Sequence, residues 1–141
     1  QAIEDKAKQQ EVEESLQPLF QELKGILRGI CLIKDITPKI CDAILSYGER
    51  CSSLFISQLI AGSQLYDARE FIKTEKKRGN ITVNYEETNR LVRDTFILLS
   101  GTAIVPGFIA SDMTTGATTT LGRGGSDYEP ERRPDCKPCS K

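Results

Sequence analysis

The stretch Ala103-Ile104-Val105-Pro106-Gly107-Phe108-Ile109 constrains this chain most. It is a compact apolar run of the kind that fills the middle of a sheet. Its Pro-Gly pair predicts that the strand ends or bulges where backbone approaches something else. Helical patterns come before it. Leu16, Leu19, Phe20, Leu23, Ile26, Leu27 and Ile30 recur at steps of three and four, so residues up to about 30 read as a helix. Pro18 interrupts that stripe, and the helix is expected to break there. Residues 1–14 carry few apolar positions and are expected to be frayed or extended.

Thr37-Pro38 supplies a capping hydroxyl and a proline for the first turn of a second helix. Ile40, Ile44, Tyr47, Cys51, Leu54, Phe55 and Gln58 trace one face of it, and Ala61-Gly62 closes it. Asn84 caps a third helix with Thr88, Leu91, Val92, Thr95 and Phe96 on one face. Lys73, Lys76, Lys77 and Arg78, interrupted by Glu75, read as a solvated loop ending at Gly79-Asn80. Asp112 to Gly116 is turn chemistry, and Thr118-Thr119-Thr120-Leu121 is β-prone. Helices alternating with short buried strands predict an α/β layered fold with a largely parallel sheet. Only two or three strands are visible, so the domain reads as incomplete.

Several functions are excluded by composition. Nineteen basic residues against twenty acidic ones leave a net charge of −1, so no pervasive basic surface invites nucleic acid. No apolar run approaches the ~20 residues that span a bilayer, and the N-terminus has no signal-peptide pattern. It also lacks an initiator Met, which suggests a chain cut from something longer, and the expected compartment is the cytoplasm. The chain has no His, so no Ser–His or Cys–His nucleophile exists and no catalytic residue is identified. Cys31, Cys41 and Cys51 fall in helix-like segments and read as small hydrophobes. Cys136 and Cys139 form a Cys-x-x-Cys that lacks two further zinc ligands, so no metal site is assigned.

Two segments remain as binding candidates. In Gly122-Arg123-Gly124-Gly125-Ser126-Asp127-Tyr128, the glycines Gly122, Gly124 and Gly125 let backbone N–H groups approach an anion. Arg123 suits a carboxylate or phosphate, and Asp127 an ammonium, so the loop fits a zwitterion. A tight glycine turn after a hairpin explains the same spacing. The second candidate is Gly48-Glu49-Arg50, where a glycine and two charges interrupt a helix. A close helix crossing explains this Gly, and so does a ligand met by backbone and by the Glu49 carboxylate.

The motifs Ser46-Tyr47-Gly48-Glu49-Arg50-Cys51-Ser52-Ser53, Glu70-Phe71-Ile72-Lys73-Thr74, Val105 to Asp112 and Thr118 to Tyr128 occur in that order. Together they resemble the successive motifs of aspartokinases, most of all the type fused to homoserine dehydrogenase, over roughly residues 15 to 128. The resemblance implies an amino-acid kinase fold, a three-layer αβα sandwich, here incomplete. It implies transfer of the ATP γ-phosphoryl group, with Mg²⁺, to the β-carboxylate of L-aspartate, and a homo-oligomer for the full-length protein. It implies that Glu49 holds the substrate ammonium and Arg123 its α-carboxylate, with Ser126 and Asp127 completing the pocket. The family's Lys-Phe-Gly-Gly phosphate loop is missing, and residues 129–141 fit nothing in the family, so they are expected to be an unrelated tail. The segment 15–128 is therefore expected to be the aspartate-binding half of a kinase domain, inactive alone. Another amino-acid kinase, or a non-catalytic helical interaction module using residues 15–30 and the Cys-x-x-Cys tail, are the alternatives.

Overall fold

The computed structural model describes residues 6–77 and 79–121. Its first element is one long helix, α1 (Lys6–Ile33), which runs through Pro18 without a break. Pro18 is solvent-exposed, so the carbonyl that its missing N–H leaves unpaired can turn to water. Of the segment expected to be frayed or extended, the described part from residue 6 is helical, with Val12 buried.

Thr37 caps α2 (Pro38–Leu59) as expected, its side chain accepting from the Ile40 N–H. The helix packs against α1 and buries Ser46, Tyr47 and Ser53. Gly62, at φ +74, turns the chain into β1 (Ser63–Leu65). A four-residue helix, α3 (Ala68–Phe71), follows, and the sequence pattern had not revealed it.

The charged stretch is a strand and not a loop. It forms β2 (Lys73–Lys77), which turns at Gly79 into β3 (Asn80–Val83). Backbone pairing, from Thr74 opposite Val83 to Lys77 opposite Asn80, carries it in spite of a poor strand composition. Asn84 caps α4 (Tyr85–Phe96) by accepting from the Glu87 N–H. The apolar run then divides at its Pro-Gly into β4 (Thr102–Ile104) and β5 (Ile109–Asp112), which belong to different sheets. The final described strand is β6 (Thr118–Thr120).

Six short strands are therefore present among the described residues, where two or three were visible in the sequence. β1 and β4 pair in parallel. The other sheet has the order β3-β2-β5-β6, and only its central β2–β5 pair is parallel. The expectation of a largely parallel sheet fails because two tight turns, at Gly79 and at Asp112 to Gly116, dictate antiparallel neighbours. The fold is α/β all the same.

The core lies where α3 and α4 meet this sheet. Ala68, Phe71 and Ile109 are buried at its centre, with Tyr66, Ile72, Leu91, Val92 and Phe96 packed around them. Phe96 meets the Phe71 ring edge-on at 5.2 Å and the Tyr66 ring at 4.9 Å. Thr74 on β2 and Thr119 on β6, the strands on either side of β5, are buried and satisfy each other, with hydroxyl oxygens 3.0 Å apart.

Candidate functional site

α2 lies along β6, and one stripe of its side chains carries the candidate chemistry. Asp42, Ser46, Glu49 and Ser53 follow each other at steps of four, three and four residues, which sets them on one helical face. At one end of the stripe the Thr120 hydroxyl donates to Asp42 Oδ1 at 2.6 Å. Ser46 is buried and donates to the Ala43 carbonyl at 2.6 Å. Glu49, half-buried in mid-helix, lies two turns further along the face on which Asp42 meets β6. Its side chain makes no hydrogen bond to any described residue, so its carboxylate is available.

Beside it, Gly48 is exposed, and a Cβ built there meets nothing within 4 Å. No helix crosses closely at this point among the described residues, so steric crowding does not explain the glycine. Arg50 faces another way. Its guanidinium lies 4.6 Å from the centre of the Tyr47 ring and donates to Glu22 on α1 at 3.3 Å. The Tyr47 hydroxyl donates to the same carboxylate oxygen at 3.1 Å, and burial pushes the phenol above its ordinary range. Burial likewise pushes the Cys51 thiol up. Cys31, in contrast, is exposed.

The turn that precedes β5 falls at the Pro-Gly pair, where the sequence predicts that the strand ends or bulges. The Ile109 N–H donates to the Gly107 carbonyl at 2.8 Å, and Phe108 between them has φ +64. A bulky residue in this region is strained, and such outliers cluster at binding sites. The Phe108 carbonyl accepts from the Leu121 N–H at 2.9 Å, so the strained turn holds the residue immediately before Gly122. The Pro-Gly pair at 106–107 was the only hint of it.

Two further networks brace the site. In the first, burial would raise the Asp67 carboxyl, but hydrogen bonds from the Arg69 side chain and N–H outweigh this and hold it below its ordinary range. Arg69 reaches on to the Thr118 hydroxyl of β6 at 3.2 Å. In the second, Lys73 donates to the Arg69 carbonyl at 2.8 Å and to the Ser111 hydroxyl at 2.9 Å, so this lysine is a structural tie rather than part of a solvated loop.

Of the predicted pocket, Glu49 is the member within the described residues. Arg123, Ser126, Asp127 and the glycines Gly122, Gly124 and Gly125 lie outside them, as do Cys136 and Cys139. Among the described residues no group of three or more Cys, Asp or Glu side chains is arranged to hold a metal ion. The Asp112 carboxylate is engaged locally, accepting from the Thr114 and Thr115 N–H groups and the Thr115 hydroxyl. No helix among these residues is long and apolar enough to cross a membrane.

No family model matches the chain. Curated relatives do. It is 34% identical over 116 residues to Aspartokinase 1, chloroplastic, of Arabidopsis thaliana, a match that covers 77% of this chain and 20% of the relative. It is 29% identical over 119 residues to Lysine-sensitive aspartokinase 3 of Escherichia coli (strain K12), covering 77% and 26%. The bifunctional aspartokinase/homoserine dehydrogenase of Buchnera aphidicola is 31% identical over 124 residues, covering 84% and 15%. Among solved structures, E. coli aspartokinase III in complex with aspartate and ADP superposes with a TM-score of 0.70 at 28% identity, covering 83% of this chain and 27% of that one. The same enzyme in complex with lysine and aspartate gives 0.71. The chain thus spans about a fifth of the first relative's length and carries part of an amino-acid kinase fold.

Proposed function

The chain is a partial relative of the aspartokinases, and from that premise we propose that it provides the aspartate-binding half of an aspartate kinase site. Glu49 receives the α-ammonium of L-aspartate. Arg123 receives the α-carboxylate through its planar fork, and Ser126 and Asp127 complete the pocket beside the backbone N–H groups of Gly122, Gly124 and Gly125. In the whole protein the β-carboxylate then accepts the γ-phosphoryl group of ATP. A bound nucleotide and its Mg²⁺ supply the phosphoryl group and the charge neutralisation. The described residues offer substrate positioning alone.

The observation that carries this reading is the Glu49 carboxylate, without a hydrogen bond to any described residue, on the α2 face whose Asp42 is bonded to Thr120 of β6, the strand leading into Gly122. The strained Phe108 turn supports it, because it fixes the entrance to the glycine loop. A related solved structure described as a complex with aspartate and ADP supports the ligand class.

Calorimetric titration with L-aspartate tests the reading. The chain should bind, and Glu49→Gln and Arg123→Ala should each weaken binding about tenfold or more, as loss of a charge-assisted bond does. Unchanged affinity in both variants would sink it. A coupled assay for ADP release should find no aspartate-dependent turnover by the chain alone, and robust turnover would overturn its reading as a half-site.

A further inference from the structure

The two proposed walls of the aspartate pocket belong to different pieces of the chain. Glu49 is on α2, and Arg123 follows the end of β6 in sequence. Such a pocket binds well only if something outside it holds the two pieces at a fixed distance and angle.

Every residue at the end of β6 is tied down. The Thr118 hydroxyl accepts from Arg69, the Thr119 hydroxyl shares a bond with Thr74, and the Leu121 N–H donates to the Phe108 carbonyl. These ties run to α3, to β2 and to the turn before β5. Thr120 differs, because its hydroxyl donates to Asp42 on α2. Among the described residues this is the one hydrogen bond that joins an α2 side chain to the four-stranded sheet. Its length of 2.6 Å is in the short range of hydroxyl-to-carboxylate bonds. Bonds of that kind are about twice as strong as neutral ones.

The position of this bond is informative. Thr37 already caps α2, so Asp42, a turn further in, is not needed as a cap. Glu49 follows Asp42 by seven residues, almost two full turns, which keeps both on one face about 10 Å apart along the axis. Arg123 follows Thr120 by three residues, a reach of at most about 10 Å of extended chain. The Asp42–Thr120 bond is therefore the vertex from which both walls diverge. If it is cut, Thr118 and Thr119 still hold β6 in its sheet, while the relation of the strand to α2 loosens.

We propose that Asp42 is a positioning residue for the aspartate pocket. Through Thr120 it sets where the chain leaves β6 relative to Glu49, and it touches no substrate atom. This rests on the aspartate reading above and adds that ligand affinity depends on a hydrogen bond outside the pocket.

Calorimetry with L-aspartate on the 141-residue chain tests it. Asp42→Ala and Thr120→Val should each weaken binding about tenfold. Asp42→Asn, which keeps an acceptor oxygen, should stay within about threefold of the parent. In a Glu49→Gln background the Asp42→Ala loss should shrink to about twofold, because the two walls no longer act together. Amide hydrogen exchange reads the same bond without ligand. Asp42→Ala should speed exchange of the Leu121 N–H about fivefold or more and leave the Ile72 N–H, bonded to the Ala68 carbonyl beside the core, unchanged. A parent chain that does not bind L-aspartate would sink the aspartate reading and this inference with it. If the parent binds, the positioning role alone is overturned by Asp42→Ala binding equally well or by unchanged Leu121 exchange. It is also overturned if Asp42→Asn fails as Asp42→Ala does, since the carboxylate charge would then act on the ligand itself. An undiminished loss in the Glu49→Gln background, or faster exchange at Ile72 as well as Leu121, would reduce Asp42 to a contributor to general stability.

Discussion

The two ends of this chain bury their apolar residues very differently. Around α3, α4 and the four-stranded sheet, side chains close on one another: Phe71 is 3% exposed, and the buried Thr74 and Thr119 satisfy each other. Along α1, 28 residues long, Val12 is the one buried side chain, while Leu32 is 84% exposed and Phe20 and Leu27 are about half exposed. Apolar spacing looked alike in both places. It establishes that a helix has an apolar stripe, but not whether a partner covers the stripe. The candidate pocket belongs to the seam between these regions, where α2 touches the closed sheet on one side and the open α1 on the other.

The sharpest way to break this comparison is to truncate one residue from each side. Phe71→Ala should destabilise the chain by about 3–5 kcal/mol, whereas Leu32→Ala should stay within about 0.5 kcal/mol, read by urea denaturation. Equal losses would mean that α1 is packed after all. Next in size is the buried hydroxyl pair. Thr74→Val alone should cost about 1–3 kcal/mol by orphaning the Thr119 hydroxyl, and adding Thr119→Val should recover much of it. Additive losses would show that the two do not depend on each other.

The smaller effects probe the seam. The Asp67 carboxyl is held low in the folded chain, so its stabilisation is fully present above the ordinary carboxylate range. That stabilisation is lost as pH falls through the lowered folded value, so the melting temperature should start to drop below about pH 4. Asp67→Asn should remove that part of the acid dependence, and an unchanged profile would count against the Arg69 network. Gly48→Ala should stabilise α2 by about 1 kcal/mol, because nothing crowds a methyl there. The same change should weaken aspartate if the ligand approaches the backbone at that turn.

Much of this was legible in the sequence where local chemistry decides the outcome. Thr37 and Asn84 cap their helices through their own side chains, and Asp112 closes its turn the same way. What escaped was set by distant partners. Lys73 to Lys77 has the composition of a loop and becomes a strand because β3 and β5 supply backbone partners. Pro18 should break a helix, but in a solvent-exposed turn it is tolerated. Glu49 was legible as an oddity next to a mid-helix glycine, and its free carboxylate sharpens that reading. The strain at Phe108 has little sequence signature beyond the preceding Pro-Gly, because it is defined by what three-dimensional neighbours do.

The claim that Glu49 grips the ammonium of aspartate has a direct test in a ligand that lacks it. Calorimetry should compare L-aspartate with succinate, on the parent chain and on Glu49→Gln. The account predicts that the substitution weakens aspartate about tenfold and leaves succinate unchanged or slightly improved, since a lone carboxylate no longer repels a dianion. Equal losses for both ligands would contradict it, and would assign Glu49 to holding the fold rather than the substrate.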